Sequence, residues 1–344
     1  MRPILALLFS LALMACAPHP ALSPSPARIG ALAAEDLLGR ADFMRYDVGE
    51  VHAVHYAEVA AAYGALRLAA ATHDRALAER VRARHDRLLA AGLPNTANHV
   101  DANVYGVWPL ALGDLGPGLA MADGQWRETG PDGLTRQARY WIDDVWMIGA
   151  LQVEAWRATH RVQYLDRAAL MAKLYIARLQ QPTGLFHHGP DAPFYWGRGN
   201  GWVAAGLAEI LSELPASHPD YPAIVGGYRR MMAALLANQA PSGMWRQLID
   251  RPEAWEESSG TAMFGFAMAV GVRRGILTGP AYAAAVRKAW SGLAAHVGPD
   301  GRLAGVCVGT GQSQDAAYYL GRATVTGDLH GQAALLWFAS EMAE

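Results

Sequence analysis

The chain has 344 residues, of which 52% are hydrophobic and only 17% charged, and its formal net charge is −2. That is ample apolar material for a large buried core. The near-neutral balance excludes the broad basic field that nucleic-acid binding needs, while leaving room for a cationic pocket that takes an anionic sugar polymer.

Read from the start, Arg2 and the apolar run 4–14 form a signal peptide, too short to span a bilayer as a stable helix. Leu13-Met14-Ala15-Cys16 resembles a bacterial lipobox, which makes Cys16 the expected lipidation site; ordinary secretory cleavage is the alternative. Residues 17–33, rich in Ala, Pro and Ser, read as a flexible linker. The expectation is an exported protein, periplasmic or anchored at the outer membrane by lipid alone, with one folded domain over 34–344. Cys307 is the other cysteine. If Cys16 is lipidated, Cys307 has no partner, and core packing holds the domain instead of a disulfide framework.

Apolar residues then recur at three- and four-residue spacing, with Ala and Leu abundant. The pattern predicts helices at 34–46, 51–72, 76–91, 100–112, 137–159, 164–180, 201–214, 221–239, 259–274, 281–297, 314–323 and 331–342, and no strand. The helices repeat. Gly124-Gln125-Trp126, Gly184-Leu185-Phe186, Gly243-Met244-Trp245 and the weaker Gly301-Arg302-Leu303 have glycines 60, 59 and 58 residues apart. A two-helix period of that length predicts an all-α fold, an (α/α)6 toroid with six inner and six outer helices. An open solenoid is the alternative, disfavoured because the long loops carry Trp, Arg and His and not a polar capping face.

Three stretches could carry chemistry. In Trp141-Ile142-Asp143-Asp144-Val145-Trp146-Met147, two adjacent acids lie among aromatic and aliphatic residues of a predicted helix. Ionised Asp is rarely buried without a partner, so the doublet asks for a role. Residues 183–202 gather His187, His188, Trp196, Arg198 and Trp202 in a Gly-rich run. Aromatic faces stack on sugar rings, and a guanidinium binds a carboxylate bidentately. The plainer reading makes the tryptophans core residues and the histidines helix caps. Around Glu257, Ser258 or Ser259 looks like a helix N-cap with the glutamates near the positive end of the dipole, although Glu257 could face a pocket. His52 and His55, at i and i+3 on a predicted helix near Glu58, lack a third ligand, so no metal or other cofactor is expected. Cys307 sits in an apolar setting and reads as an inert buried thiol.

Taken together, the stretches around Asp143, His188, Trp196 to Trp202 and Glu257, with Gly327-Asp328-Leu329-His330-Gly331-Gln332, resemble glycoside hydrolase family 105. These are the unsaturated rhamnogalacturonyl hydrolases, kin of the unsaturated glucuronyl hydrolases of family 88. The resemblance runs from about residue 136 to the C-terminus and implies an (α/α)6 barrel. It also implies removal of a Δ4,5-unsaturated uronic acid from the non-reducing end of a lyase-generated oligosaccharide, by hydration of the C4=C5 bond. Asp143 matches the family's acid/base and Asp101 a second acid that would raise the pKa of its neighbour. His188, Trp196, Arg198 and Trp202 match substrate contacts. Tyr56 and Asp144 join that set, although Asp144, rotated by about 100° from Asp143 on a helix, reads better as facing a packing partner. A polysaccharide lyase or sugar epimerase on the same toroid, and a non-catalytic glycan-binding lipoprotein, are the competing readings.

Overall fold

The computed structural model describes residues 25–48, 51–93 and 97–344; Cys16 and the signal segment lie outside the described residues. In chain order the elements are α1 (Pro26–Gly39), β1 (Arg45–Val48), β2 (Val51–Val54), α2 (Tyr56–Ala71), α3 (Arg75–Ala90), α4 (Val100–Asn103), a 3-10 turn (Val104–Gly106), α5 (Val107–Ala111) and α6 (Leu115–Gln125). There follow α7 (Asp144–Thr159), α8 (Val162–Leu179), α9 (Gly197–Glu213), α10 (Tyr221–Ala237), β3 (Trp245–Arg246), β4 (Glu256–Glu257), α11 (Ser258–Arg273), α12 (Pro280–Ala294), β5 (Val306–Cys307), α13 (Ala316–Leu320), β6 (Thr324–Val325) and α14 (Leu329–Ala343).

Six of these segments make a closed inner ring. α2 packs on the broken helix α4–α5, which packs on α7, then α9, α11, α14 and back to α2. The last contact closes the toroid and excludes the open solenoid. α1, α3, α6, α8, α10 and α12 lie outside it, each against an inner helix. The difference between the rings is written in their burial. Every residue of α7 from Asp144 to Ala155 is buried, whereas α8 buries one stripe, Tyr164, Leu165, Ala168, Ala169, Met171, Ala172, Tyr175, Ile176 and Leu179. A helix touched on all sides must be apolar all round, and one touched on one side need not be. Gly206 lets α9 meet α7 closely, since a Cβ there would lie 2.6 Å from the Val145 carbonyl oxygen.

Pro-x-Gly turns bring the chain back towards the inner ring. Gly133, Gly184, Gly243 and Gly301 hold φ of 79°, 92°, 97° and 78°, in the region that favours glycine. Gly124, expected to be the first of these, lies inside α6; the true copy is Pro131-Asp132-Gly133, and α6 itself escaped the helix prediction. Other boundaries move as well. The linker expected over 17–33 is already helical from Pro26, and that helix ends at Gly39 instead of running to residue 46. Residues 51–54 pair antiparallel with β1 instead of starting a helix, and β3–β4 and β5–β6 are further short pairs. The helix expected from 137 begins at Asp144.

The far end of the ring is plugged by charge. Arg67 of α2 and Arg157 of α7 pair with Glu209 of α9 at 2.7 and 2.9 Å. Arg157 also pairs with Glu154 at 2.6 Å, and the Tyr63 hydroxyl donates to Glu154 at 2.9 Å. Buried carboxylates persist here because each has a cationic partner.

Candidate active site

At the opposite end, the N-termini of the inner helices converge on one pocket, so several positive helix ends face the same space. It is lined by Tyr56, Asp101, Arg139, Trp141, Asp143, Met147, Trp196, Arg198 and Thr310.

Asp143 is the residue just before α7, and its side chain caps nothing. It is buried, and its Oδ2 has no hydrogen-bond partner among the described residues. The nearest basic atom is His188 Nε2, 3.7 Å away and likewise unpartnered. Burial, with the neighbouring Asp144 adding to it and Arg139 and Arg198 opposing, pushes the Asp143 carboxyl up to about 7. Burial holds the His188 imidazole down at about 3, with Arg198 adding to the effect. At neutral pH the pair is therefore a carboxyl that still holds its proton about half the time beside a neutral imidazole. The His188 ring is fixed by the Tyr319 hydroxyl, 2.8 Å from Nδ1, and by Trp196, whose ring centre is 4.6 Å away.

Asp101 and Asp144 belong to a different unit, centred on Arg139. The guanidinium donates to both oxygens of Asp101 at 3.0 Å, Nη1 to Oδ2 and Nη2 to Oδ1. It also donates to Asp144 Oδ1 from Nε at 3.0 Å and Nη2 at 2.6 Å, and the Arg139 backbone N–H reaches Asp144 Oδ2 at 2.8 Å. Tyr175 completes this unit, donating its O–H to Asp144 Oδ2 at 2.7 Å and accepting the Tyr140 N–H at 3.0 Å. Tyr140 has φ of 56°, a conformation that costs a bulky residue energy and persists where the surroundings force it. Here its ring stacks on Tyr175 at 4.8 Å, and Arg178 lies over it at 4.1 Å. Arg139, Trp141 and Asp143 on either side of that residue all line the pocket. Two expectations are corrected. Asp144 is wholly buried and committed to Arg139 and Tyr175, so it is not a substrate contact. Asp101 is paired with Arg139, and Asp144, not Asp101, is the acid that helps to raise Asp143.

Arg198 is buried, one residue into α9, with its guanidinium carbon 4.8 Å from the centre of the Trp196 ring. It donates to the carbonyl oxygens of Cys307 and, at 2.8 Å, Val308. Among the described residues no carboxylate pairs with it, which leaves a buried cation whose remaining N–H groups have only distant counter-charge. The loop it grips is held by Glu257, which accepts the Cys307 N–H at 3.0 Å and caps α11 through Ser259 N and Gly260 N. Glu257 is itself the N-cap, in place of the expected Ser258 or Ser259, and does not reach the pocket. The buried Cys307 thiol accepts from the Gln247 side-chain amide at 3.1 Å, in keeping with an inert role.

The remaining expected residues divide. Trp196 lines the pocket, but Trp202 is a core residue, packed on Trp146 at 5.1 Å and Trp337 at 5.7 Å beneath Tyr56. Tyr56 opens α2 and reaches the pocket. His187 points away, towards Tyr195. His52 lies on β2 and His55 caps α2 through the Ala57 N–H, so they do not share a helix face. No group of three metal-ligating side chains occurs among the described residues. Arg139, Trp141, Thr310 and Tyr319 escaped the sequence reading. Arg139 alone had a signal, as a cation five residues before the buried Asp144 that it pairs with.

Residues 122–344 match the profile of Glycosyl Hydrolase Family 88. The unsaturated rhamnogalacturonyl hydrolase YesR of Bacillus subtilis (strain 168) is 30% identical over 187 residues, 52% of each chain. An unsaturated 3S-rhamnoglycuronyl hydrolase of Alteromonas sp. (strain LOR) is 36% identical over 152 residues, 44% of this chain and 35% of that one. The chain thus spans about half or less of the length of these two curated relatives. The crystal structure of a possible GH105 family member from Salmonella enterica superposes with a TM-score of 0.83, covering 98% of this chain and 99% of that one at 19% identity, a likeness of fold. With well over half its length inside that profile, the chain belongs to Glycosyl Hydrolase Family 88.

Proposed function

We propose that the protein is an unsaturated uronyl hydrolase that removes a Δ4,5-unsaturated uronic acid from the non-reducing end of an oligosaccharide by hydrating its C4=C5 bond. The observation that carries this is Asp143: a buried carboxyl raised to about 7, with an unpartnered oxygen in a pocket that also holds a cation without a carboxylate partner. The C4=C5 bond is an enol ether. Asp143 gives its proton to C4, and positive charge develops at C5 and its ring oxygen. Water adds to C5 and returns one proton to the Asp143 carboxylate; its oxygen and second proton stay as the new hydroxyl. The hemiketal so formed opens and releases the next sugar. Arg198 takes the substrate carboxylate, and Trp141 and Trp196 wall the ring.

The names of both relatives pair an unsaturated uronyl group with rhamnose, which supports rhamnose as the released neighbour. The lipobox at Cys16 supports work outside the cytoplasm, on a lipid tether. Hydration destroys the ultraviolet chromophore of the unsaturated uronate, so the protein should bleach an unsaturated uronyl-rhamnose disaccharide, and the Asp143→Asn variant should not. Rising absorbance on intact polymer, or bleaching by the variant, would overturn the reading.

A further inference from the structure

The hydration chemistry above leaves Asp328 and His330, at the start of α14, without a part. Asp328 Oδ1 accepts the His330 backbone N–H at 2.9 Å and lies 2.6 Å from His330 Nδ1. His330 Nε2 lies 3.0 Å from the Tyr56 hydroxyl, and Tyr56 shares the pocket wall with Asp143 and Arg198. A line of hydrogen bonds thus runs from a carboxylate, through a buried imidazole, to a hydroxyl in the pocket.

The direction of that line follows from its first member. Burial raises the Asp328 carboxyl, but the hydrogen bonds it accepts from the His330 ring and backbone outweigh it, with Arg198 adding to the effect, and hold it well below the usual range, so it is ionised and can only accept. Burial, opposed by Asp328, holds His330 below its ordinary value, so its ring is neutral. A neutral ring that donates from Nδ1 has a lone pair at Nε2. Tyr56 must then give its single proton to Nε2, and its oxygen turns lone pairs to the pocket. Such an oxygen repels the substrate carboxylate, which belongs with Arg198, and attracts an O–H group. We propose that Asp328 and His330 lock the Tyr56 hydroxyl as an acceptor, and that its oxygen holds the water that adds to C5. The water keeps the proton it shares with Tyr56 and gives the other to Asp143, so the line itself carries no net proton. Asp328 and His330 are positioning residues, and only Tyr56 touches the nucleophile. This deepens the hydrolase reading and rests on it.

The test uses the full chain and the unsaturated uronyl-rhamnose disaccharide. Tyr56→Phe keeps the ring against Trp202 and should lower kcat by about 10- to 100-fold with KM within about twofold. Asp328→Ser still caps α14, since Ser caps as well as Asp. Its one oxygen, in place of Oδ1, accepts the His330 N–H while its O–H donates to Nδ1, which reverses the tautomer and turns the Tyr56 proton towards the pocket, so kcat should fall comparably. Because both variants disable one line, the double variant should lose no more than the worse single one. ¹⁵N NMR of labelled histidine reads the lock without turnover: His330 should be protonated at Nδ1 in the native protein and at Nε2 in Asp328→Ser. A native ring protonated at Nε2, a Tyr56→Phe variant with unchanged kcat, a rise in KM alone, or losses that multiply would each overturn the proposal. A native protein that bleaches no unsaturated disaccharide, with the expected tautomer present, would instead overturn the hydrolase reading.

Discussion

Replacing Asp143 by Asn should abolish turnover and at the same time make the protein more stable at neutral pH. A carboxyl that titrates at about 7 in the folded chain, in place of the ordinary 3.8, keeps its proton where the unfolded chain has lost it. Between those values the folded state binds more protons, so stability falls as pH rises. About three units at 1.36 kcal/mol each give about 4 kcal/mol by pH 8, of which about 3 kcal/mol accrues above pH 5. Asn has nearly the same shape, does not titrate, and displaces no side-chain cap, because Asp143 makes none. At about 2.1 cal/mol/K per residue over some 300 folded residues, 3 kcal/mol corresponds to about 5 °C in Tm. The assay is thermal unfolding of both proteins at pH 5 and pH 8: the variant's advantage should widen by about that much at the higher pH. A gap that stays constant, or a variant that is weaker at pH 8, would mean that Asp143 is ionised and stabilising, and the acid role would fall with it.

Arg139→Gln should leave Asp101 and Asp144 buried without their cation, lowering stability by about 3–5 kcal/mol and losing activity with it; chemical denaturation and the bleaching assay measure the two effects. Glu209→Gln at the plugged end should destabilise by about 3 kcal/mol and leave KM unchanged, because Arg67 and Arg157 lose a shared partner far from the pocket. Gly243→Ala should be far worse than Gly275→Ala. Both have positive φ, worth about 1 kcal/mol against Ala, but only at Gly243 would the new Cβ overlap a backbone atom, the Lys288 carbonyl oxygen. Equal Tm shifts for the two glycine variants would refute the clash.

The ring of helices was legible because each inner helix is buried on nearly all sides and each outer one on a stripe, and both patterns survive in the order of residues. What failed was local. Strands of two to four residues are too short for alternation to show. The start of α7 was misplaced because Gln137 to Asp143 carries no Gly or Pro stop, and the positive φ falls on Tyr140, held by Tyr175, 35 residues away. Trp202 and Trp196 are six residues apart in one Gly-rich run, yet one is core and the other pocket; α9 turns them to different sides, and composition cannot tell them apart. The Asp143-Asp144 doublet divided as helix geometry required, while Arg139, which accounts for the burial of Asp144, lay outside the stretch that drew attention.

The electrostatics of the pocket carry one more consequence. Two cations, Arg139 and Arg198, pull the Asp143 pKa down against its burial. Arg139 is matched by Asp101 and Asp144, but among the described residues no carboxylate pairs with Arg198. A substrate carboxylate seated on Arg198 cancels that pull and brings a further negative charge near Asp143. Both changes favour the protonated form. The acid therefore holds its proton more firmly when substrate is bound than when the pocket is empty. In pH profiles of the bleaching reaction, kcat/KM should fall above about pH 7 as free Asp143 ionises. The corresponding limb of kcat, which reports the bound state, should lie higher by about one unit. Arg198→Met should remove the separation as well as raise KM. Coincident limbs in the native protein, or a kcat limb below that of kcat/KM, would show that the substrate carboxylate does not sit on Arg198.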